Sequence, residues 1–131
     1  LVFNTHFDHR GEQARTRSSE LIVQKIKELN TRRLPVILMG DFNLEQSSEG
    51  IRHILEVMSD AHMEAGSRAH GPKGTFNSFE VEKLASRRID YVFLSPDDWR
   101  VIRSAIISDC DDGRFPSDHF PVYAELLFLD E

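Results

Sequence analysis

Leu1, Val2 and Phe3, followed by Asn4, Thr5 and His6, form a segment short and β-branched enough for a strand, with His6 at its end. The stretch from Phe7 to Gln13 is largely polar and carries Gly11 as a turn signal. From Gln13 to Asn30 apolar residues recur at Ala14, Leu21, Ile22, Ile26 and Leu29, with Arg15, Arg17, Glu20, Lys25, Lys27 and Glu28 between them, which predicts a surface helix ending before Pro35. Val36-Ile37-Leu38-Met39 is continuously apolar but too short for a helix, so it predicts a strand buried on both faces, followed at once by Gly40-Asp41-Phe42-Asn43. Ile51, Ile54, Leu55 and Met58 mark a second amphipathic helix, and Gly66, Gly71, Pro72 and Gly74 punctuate a long connection. A short strand is expected at Thr75 to Phe79, and three more at Ile89 to Leu94, Val101 to Ser108 and Pro121 to Leu129. The order strand, helix, strand, helix, then strands implies an α/β fold with a mixed β-sheet and helices on one face. No repeat or linker divides residues 1–131, which read as a single domain.

Composition narrows the chemistry. Sixteen Lys and Arg against 22 Asp and Glu leave 131 residues with a net charge of −6, and 40% of them are apolar, enough for a folded core. The acidic balance argues against gripping nucleic acid by bulk charge, yet it suits phosphate chemistry in which carboxylates hold a cation. Cys110 stands alone, so neither an internal disulfide nor a cysteine zinc site is expected. No run approaches the roughly 20 apolar residues of a membrane helix. The chain opens at Leu1 inside an apparent strand, so it reads as part of something longer, and any targeting signal upstream would be invisible; localisation stays unknown.

Several polar residues interrupt this pattern where chemistry would use them. Asp41 and Asn43 follow a buried strand and sit two positions apart, so extended backbone aims both the same way with Phe42 turned into the core; turn chemistry explains the same residues equally well. Asp90 breaks an apolar strand, and burying a lone carboxylate costs several kcal/mol, so it needs a partner. Arg87 or Arg88 would make that partner structural, whereas a histidine whose tautomer Asp90 fixes would make it chemical. Ser117-Asp118-His119 offers such an imidazole in a loop, where a solvent-facing role is the alternative. His9, His53, His62 and His70 are assigned no role. Oxygen-rich ligands with imidazoles, and no cysteine or serine nucleophile, favour Mg2+ or Mn2+ and phosphate esters.

Asn4-Thr5-His6, Gly40-Asp41-Phe42-Asn43, Arg88-Ile89-Asp90-Tyr91 and Ser117-Asp118-His119-Phe120-Pro121-Val122, in this order, resemble the endonuclease/exonuclease/phosphatase superfamily. The resemblance implies a divalent-metal-dependent phosphoesterase that attacks phosphorus with water. It would make Asp41 the group that orients and deprotonates the water, and Asn43 the group that holds that water and a phosphate oxygen. Asp90 would pair with His119, which would stabilise the pentacovalent phosphate or act with Asp90 as the base. His6 would contact the phosphate and assist the leaving oxygen, and Asp118, with Asp41, would bind the Mg2+ or Mn2+. Arg10, with Arg15 and Arg17, is a candidate contact for a second phosphate or a sugar, against a solvated helix face.

The chain matches only the second, C-terminal half of that family's domain, so the resemblance implies half of a four-layer α/β sandwich. The first half, with its metal-binding Glu, has no counterpart here, which implies weak metal binding and little hydrolysis by these residues alone. It also implies an uncovered inner sheet face, including Val36, Leu38, Val92 and Leu94, to be covered by the missing half or by self-association. The substrate expected is a small or lipid-linked phosphate mono- or diester. A DNA or RNA endo- or exonuclease is the alternative, and a non-catalytic binding module that keeps the fold is the rival of another class. Calcineurin-like metallophosphoesterases also carry Gly-Asp, but their second Gly-Asp and Gly-Asn-His run are missing from this sequence.

Overall fold

The computed structural model describes residues 1–129. The strand expected at the start is β1 (Val2–His6), and the first helix is α1 (Glu12–Leu29). Asp8 accepts a hydrogen bond from the Gly11 N–H at 2.6 Å, which turns the chain into that helix. The apolar run becomes β2 (Ile37–Asp41), and the second helix is α2 (Glu49–Leu55), whose first turn is capped by the Ser48 hydroxyl accepting from Ile51 N–H. The later strands are β5 (Asp90–Leu94), β6 (Trp99–Ile106) and β7 (Val122–Phe128).

The connection after α2 holds more structure than its glycines suggest. It contains β3 (Ser59–Asp60), α3 (Ala61–Ala65), a 3-10 turn (Gly66–Arg68) and β4 (Ala69–His70), each too short to show a period in sequence. The strand expected at Thr75 to Phe79 does not form. Instead Phe76 makes isolated bridges to Arg87 and His119, tying three distant segments together. The strands divide between two hydrogen-bonded sheets, ordered β1-β2-β5-β3 and β4-β6-β7, with β5 touching β7.

On one face of the first sheet α1 and α2 cover a core in which Leu38, Phe42, Ile51, Ile54 and Phe93 are fully buried. Ile37, Val92 and Leu94 alternate with that set, and join a second cluster with Ala61, Ala65, Val101 and Leu126 that links the first sheet to α3 and the second sheet. The sequence placed Val36, Leu38 and Leu94 on an uncovered face; all are buried, and Val36 and Leu38 point under α1 and α2. A continuous apolar strand carries no alternation, so its phase is invisible in the sequence. The face left open instead shows Val2, Asn4 and Met39. A hollow of about 370 Å3 follows it past Met39, Val92 and Val122.

A buried polar cluster pins α3. Arg88 donates to Asp60 at 2.5 Å, and Asp60 also accepts from the His62 and Met63 N–H groups. His62 reaches Ser104 at 3.1 Å. Burial pushes the His62 imidazole below its usual range, the Arg88 guanidinium adds to this, and Asp60 opposes it. Because His62 holds a proton less readily folded than unfolded, its stabilisation is complete above the ordinary imidazole range of about 6.5 and fades as pH falls through the folded value. Melting curves of His62→Gln should therefore lose part of the wild-type drop in midpoint as pH falls below about 6.5.

Candidate active site

Strand register assembles the site. β1 and β2 run parallel with His6 opposite Asp41, and β2 and β5 run antiparallel with Asp41 opposite Asp90. Three strand ends thus set His6, Asp41 and Asp90 in one row on the sheet face away from Leu38. The pairing of β1 with β2 depends on Gly40, whose φ is 141°; a Cβ there would lie 1.9 Å from the Thr5 carbonyl oxygen.

Beyond β2 the chain turns rather than staying extended. Asn43 adopts a left-handed φ of 51°, tolerated by Asn, and its N–H donates to Asp41 Oδ1 at 2.8 Å. Its amide donates to the Phe7 carbonyl at 2.9 Å and lies 3.3 Å from Asp41 Oδ2. Asp41 and Asn43 are therefore side by side, as expected from the sequence, with Phe42 in the core, although a turn achieves it.

His119 arrives from the loop before β7, its ring packed edge-on against Phe76 with centroids 5.1 Å apart. Its Nδ1 lies 2.9 Å from Asp90 Oδ2. An ionised carboxylate only accepts, so Nδ1 carries the proton and Nε2 is turned towards Asp41, 3.9 Å away. His6 Nε2 approaches the same Asp41 oxygen at 3.3 Å. The two arginines that could have claimed Asp90 are engaged elsewhere, Arg87 with Glu45 at 3.0 Å and Arg88 with Asp60. Asp90 is thus the partner of a histidine.

Burial is the main influence on Asp90 and raises its carboxyl above the usual range, against hydrogen bonds from Thr75 and His119. A charged Asp90 is therefore a cost to the fold at neutral pH. Asp90→Asn is expected to raise stability there while activity falls, and the gain should vanish as pH drops through the folded pKa and the native acid becomes neutral. Denaturant titrations at pH 7 and in mild acid measure both.

These residues open onto a cleft of about 660 Å3, in whose wall His6, Asp41, Asn43, Asp90, Asp118 and His119 all appear. Arg10 is not in that wall; its guanidinium donates to His9 at 3.0 Å. His9, assigned no role in sequence, lines the cleft with Phe76 and Arg87. Buried Thr75 supports the site from behind, its hydroxyl accepting from Ile89 and Asp90 N–H at 3.0 and 3.2 Å. In sequence Thr75 has only a place in an expected strand, with no sign of that contribution.

Asp41, Asp90 and His119 offer ligand atoms within 4.8 Å of one another, a group able to hold a metal ion. Asp118 lies in the cleft wall outside that group, and among the described residues its carboxylate has no hydrogen-bond or ion-pair partner.

The model of the Endonuclease/Exonuclease/phosphatase family matches residues 2–119. The chain belongs to this family. Among solved structures it is similar to a mannosyl-6-phosphatase of Bacteroides thetaiotaomicron, with 37% identity, a TM-score of 0.89, and coverage of 98% of this chain and 51% of that one. A functionally unknown conserved protein of Enterococcus faecalis V583 shares 35% identity over 98% of this chain and 50% of its own, also with a TM-score of 0.89. D. rerio TDP2 complexed with a single-strand DNA product shares the fold, at 23% identity and a TM-score of 0.74, over 96% of this chain and 55% of that one. No curated protein matches the chain. It spans about half the length of the solved structures it matches. Members of this family are typically hydrolases, and a phosphatase is among these neighbours. Among the described residues no helix is long and apolar enough to cross a membrane.

Proposed function

We propose that the chain forms the reaction half of a divalent-cation-dependent phosphoesterase that cleaves small phosphate esters with water. The observation that carries this is the Asp90–His119–Asp41 arrangement at the floor of a cleft. His119 is oriented at Nδ1 by Asp90, and its Nε2 faces the cleft beside a second carboxylate. A protonated Nε2 donates to a phosphoryl oxygen as negative charge builds there, and Asp41 accepts a proton from a water held between it and the Asn43 side chain. His6 stands where it can donate to the departing oxygen. Arg10 is left out of these roles, because its guanidinium is committed to His9.

The donors suit Mg2+ or Mn2+: Asp41 is a half-buried carboxylate and Asp118 a partner-free one, both hard oxygen ligands in the same wall. When bound, the cation supplies positive charge that neutralises the phosphate. A small monoester is favoured by the 37% identity to a mannosyl-6-phosphatase. The net charge of −6 disfavours avid nucleic-acid binding.

The open face suits a covering layer. Val2 is 62% and Met39 36% exposed, and the solved relatives are about twice as long as this chain, so we assign that face to the half of the family domain that these residues do not include. Hydrolysis of p-nitrophenyl phosphate and bis-p-nitrophenyl phosphate by the complete polypeptide, with Mg2+ and then with excess chelator, tests the reading. The monoester should be cleaved in Mg2+ and activity lost on chelation. Full activity in chelator would refute the cation's part, and no cleavage of either ester under any divalent ion would refute the phosphoesterase.

A further inference from the structure

The segment from Asn77 to Ser86 leaves the cleft and returns to it. Its two ends, Phe76 and Arg87, are bridged to each other and both line the cleft. At its root Asn77 N–H donates to the Asp118 carbonyl at 3.0 Å, so it is hydrogen-bonded to the segment that carries His119. Between these anchors Phe79, Val81 and Leu84 are exposed, Leu84 to 89%. Single exposed apolar side chains need no explanation, but three within six residues, beside a site, do.

The root of the segment also carries unrelieved cost. Ser78 and Phe79 both take left-handed φ values, 58° and 61°, a region that L side chains enter only against steric resistance. Asn77 is 4% exposed, yet its Nδ2 has no hydrogen-bond partner among the described residues. Strained backbone and an unpartnered buried donor, concentrated beside a cleft, are the features expected of a segment that moves in function.

We propose that residues 78–84 form an apolar strap that closes over the carbon skeleton of the ester, so that the cleft prefers a phosphate carried on an alkyl or aryl group. This rests on the phosphoesterase reading above and adds the nature of the leaving group. A single amphiphilic molecule fits better than a bilayer: the patch is small, and Glu80 and Glu82 against Lys83 give it a net negative charge that an anionic lipid surface would repel. Val81 lies beside Gly113, so the strap borders the loop that leads to Asp118 and His119, and a chain leaving the phosphate between the two loops would meet it.

The test compares n-octyl phosphate with mannose 6-phosphate as substrates of the complete polypeptide in Mg2+. In Phe79→Ser/Leu84→Ser, kcat/KM for octyl phosphate should fall about tenfold or more, because two apolar contacts with the alkyl chain are lost, while that for mannose 6-phosphate stays unchanged. Equal changes on both esters, or none on either, would overturn the strap. So would a lowered melting temperature with an unaltered substrate ratio, which would assign these side chains to packing within the complete protein. Calorimetric binding of octyl phosphate against inorganic phosphate separates the two readings. Tighter binding of octyl phosphate that is lost in the double variant, without hydrolysis of any ester, would keep the strap and refute the phosphoesterase. Equal binding of octyl phosphate by wild type and variant would refute the strap even if hydrolysis is observed.

Discussion

His119→Ala should lower phosphoester hydrolysis about 10^2- to 10^4-fold, the range for removing a positioned proton donor or acceptor. The ring is held at Nδ1 by Asp90 and packed against Phe76, which leaves its Nε2 facing the cleft beside Asp41. The loss should fall on kcat more than on KM, because the group acts on charge that develops in the reaction rather than on the resting ester. The side chain is 27% exposed and bears no helix cap, so the melting temperature should move little. Steady-state kinetics with a melting curve on the same sample distinguish a chemical loss from a folding one. Retention of wild-type kcat would mean that the Asp90–His119 pair is structural.

The largest stability effect should come from Arg88→Ala, about 3–5 kcal/mol. The substitution strands Asp60, whose side chain is 1% exposed and whose counterion is Arg88 at 2.5 Å. It also removes the guanidinium 4.6 Å above the Tyr91 ring. Arg88→Met with Asp60→Asn should recover most of the loss, because the amide oxygen still caps α3 through the His62 and Met63 N–H groups and no bare charge remains buried. Denaturant midpoints of Arg88→Met, Asp60→Asn and the double variant form the cycle that measures this. Additive losses would show that the pair contributes nothing beyond its two parts.

Arg88 also illustrates where sequence reading ends. Two adjacent arginines precede Asp90, and nothing local says that one turns to Glu45 and the other to Asp60. The second choice follows from β3 and α3, which are two and five residues long and leave no periodic trace. What was legible were residues at odds with their surroundings. Asp90 interrupts an apolar strand, Asp41 and Asn43 end one, and His119 stands at the mouth of another; the structure brings all four together with His6. In sequence Thr75 and Phe76 read only as strand residues and His9 has no role, because their importance comes only from what they touch. The buried side of β2 was unreadable for a different reason, since a run of apolar residues is satisfied by either orientation.

Because the row of strand ends is set by ladder pairing, it tolerates no slippage. Deleting a single residue between Val36 and Gly40 would send the Asp41 carboxylate under the helices and bring Phe42 out to water. An insertion or deletion should therefore abolish the site when made in β2 and be tolerated at the exposed turn around Asp112 and Gly113, whose chain makes no ladder with either sheet.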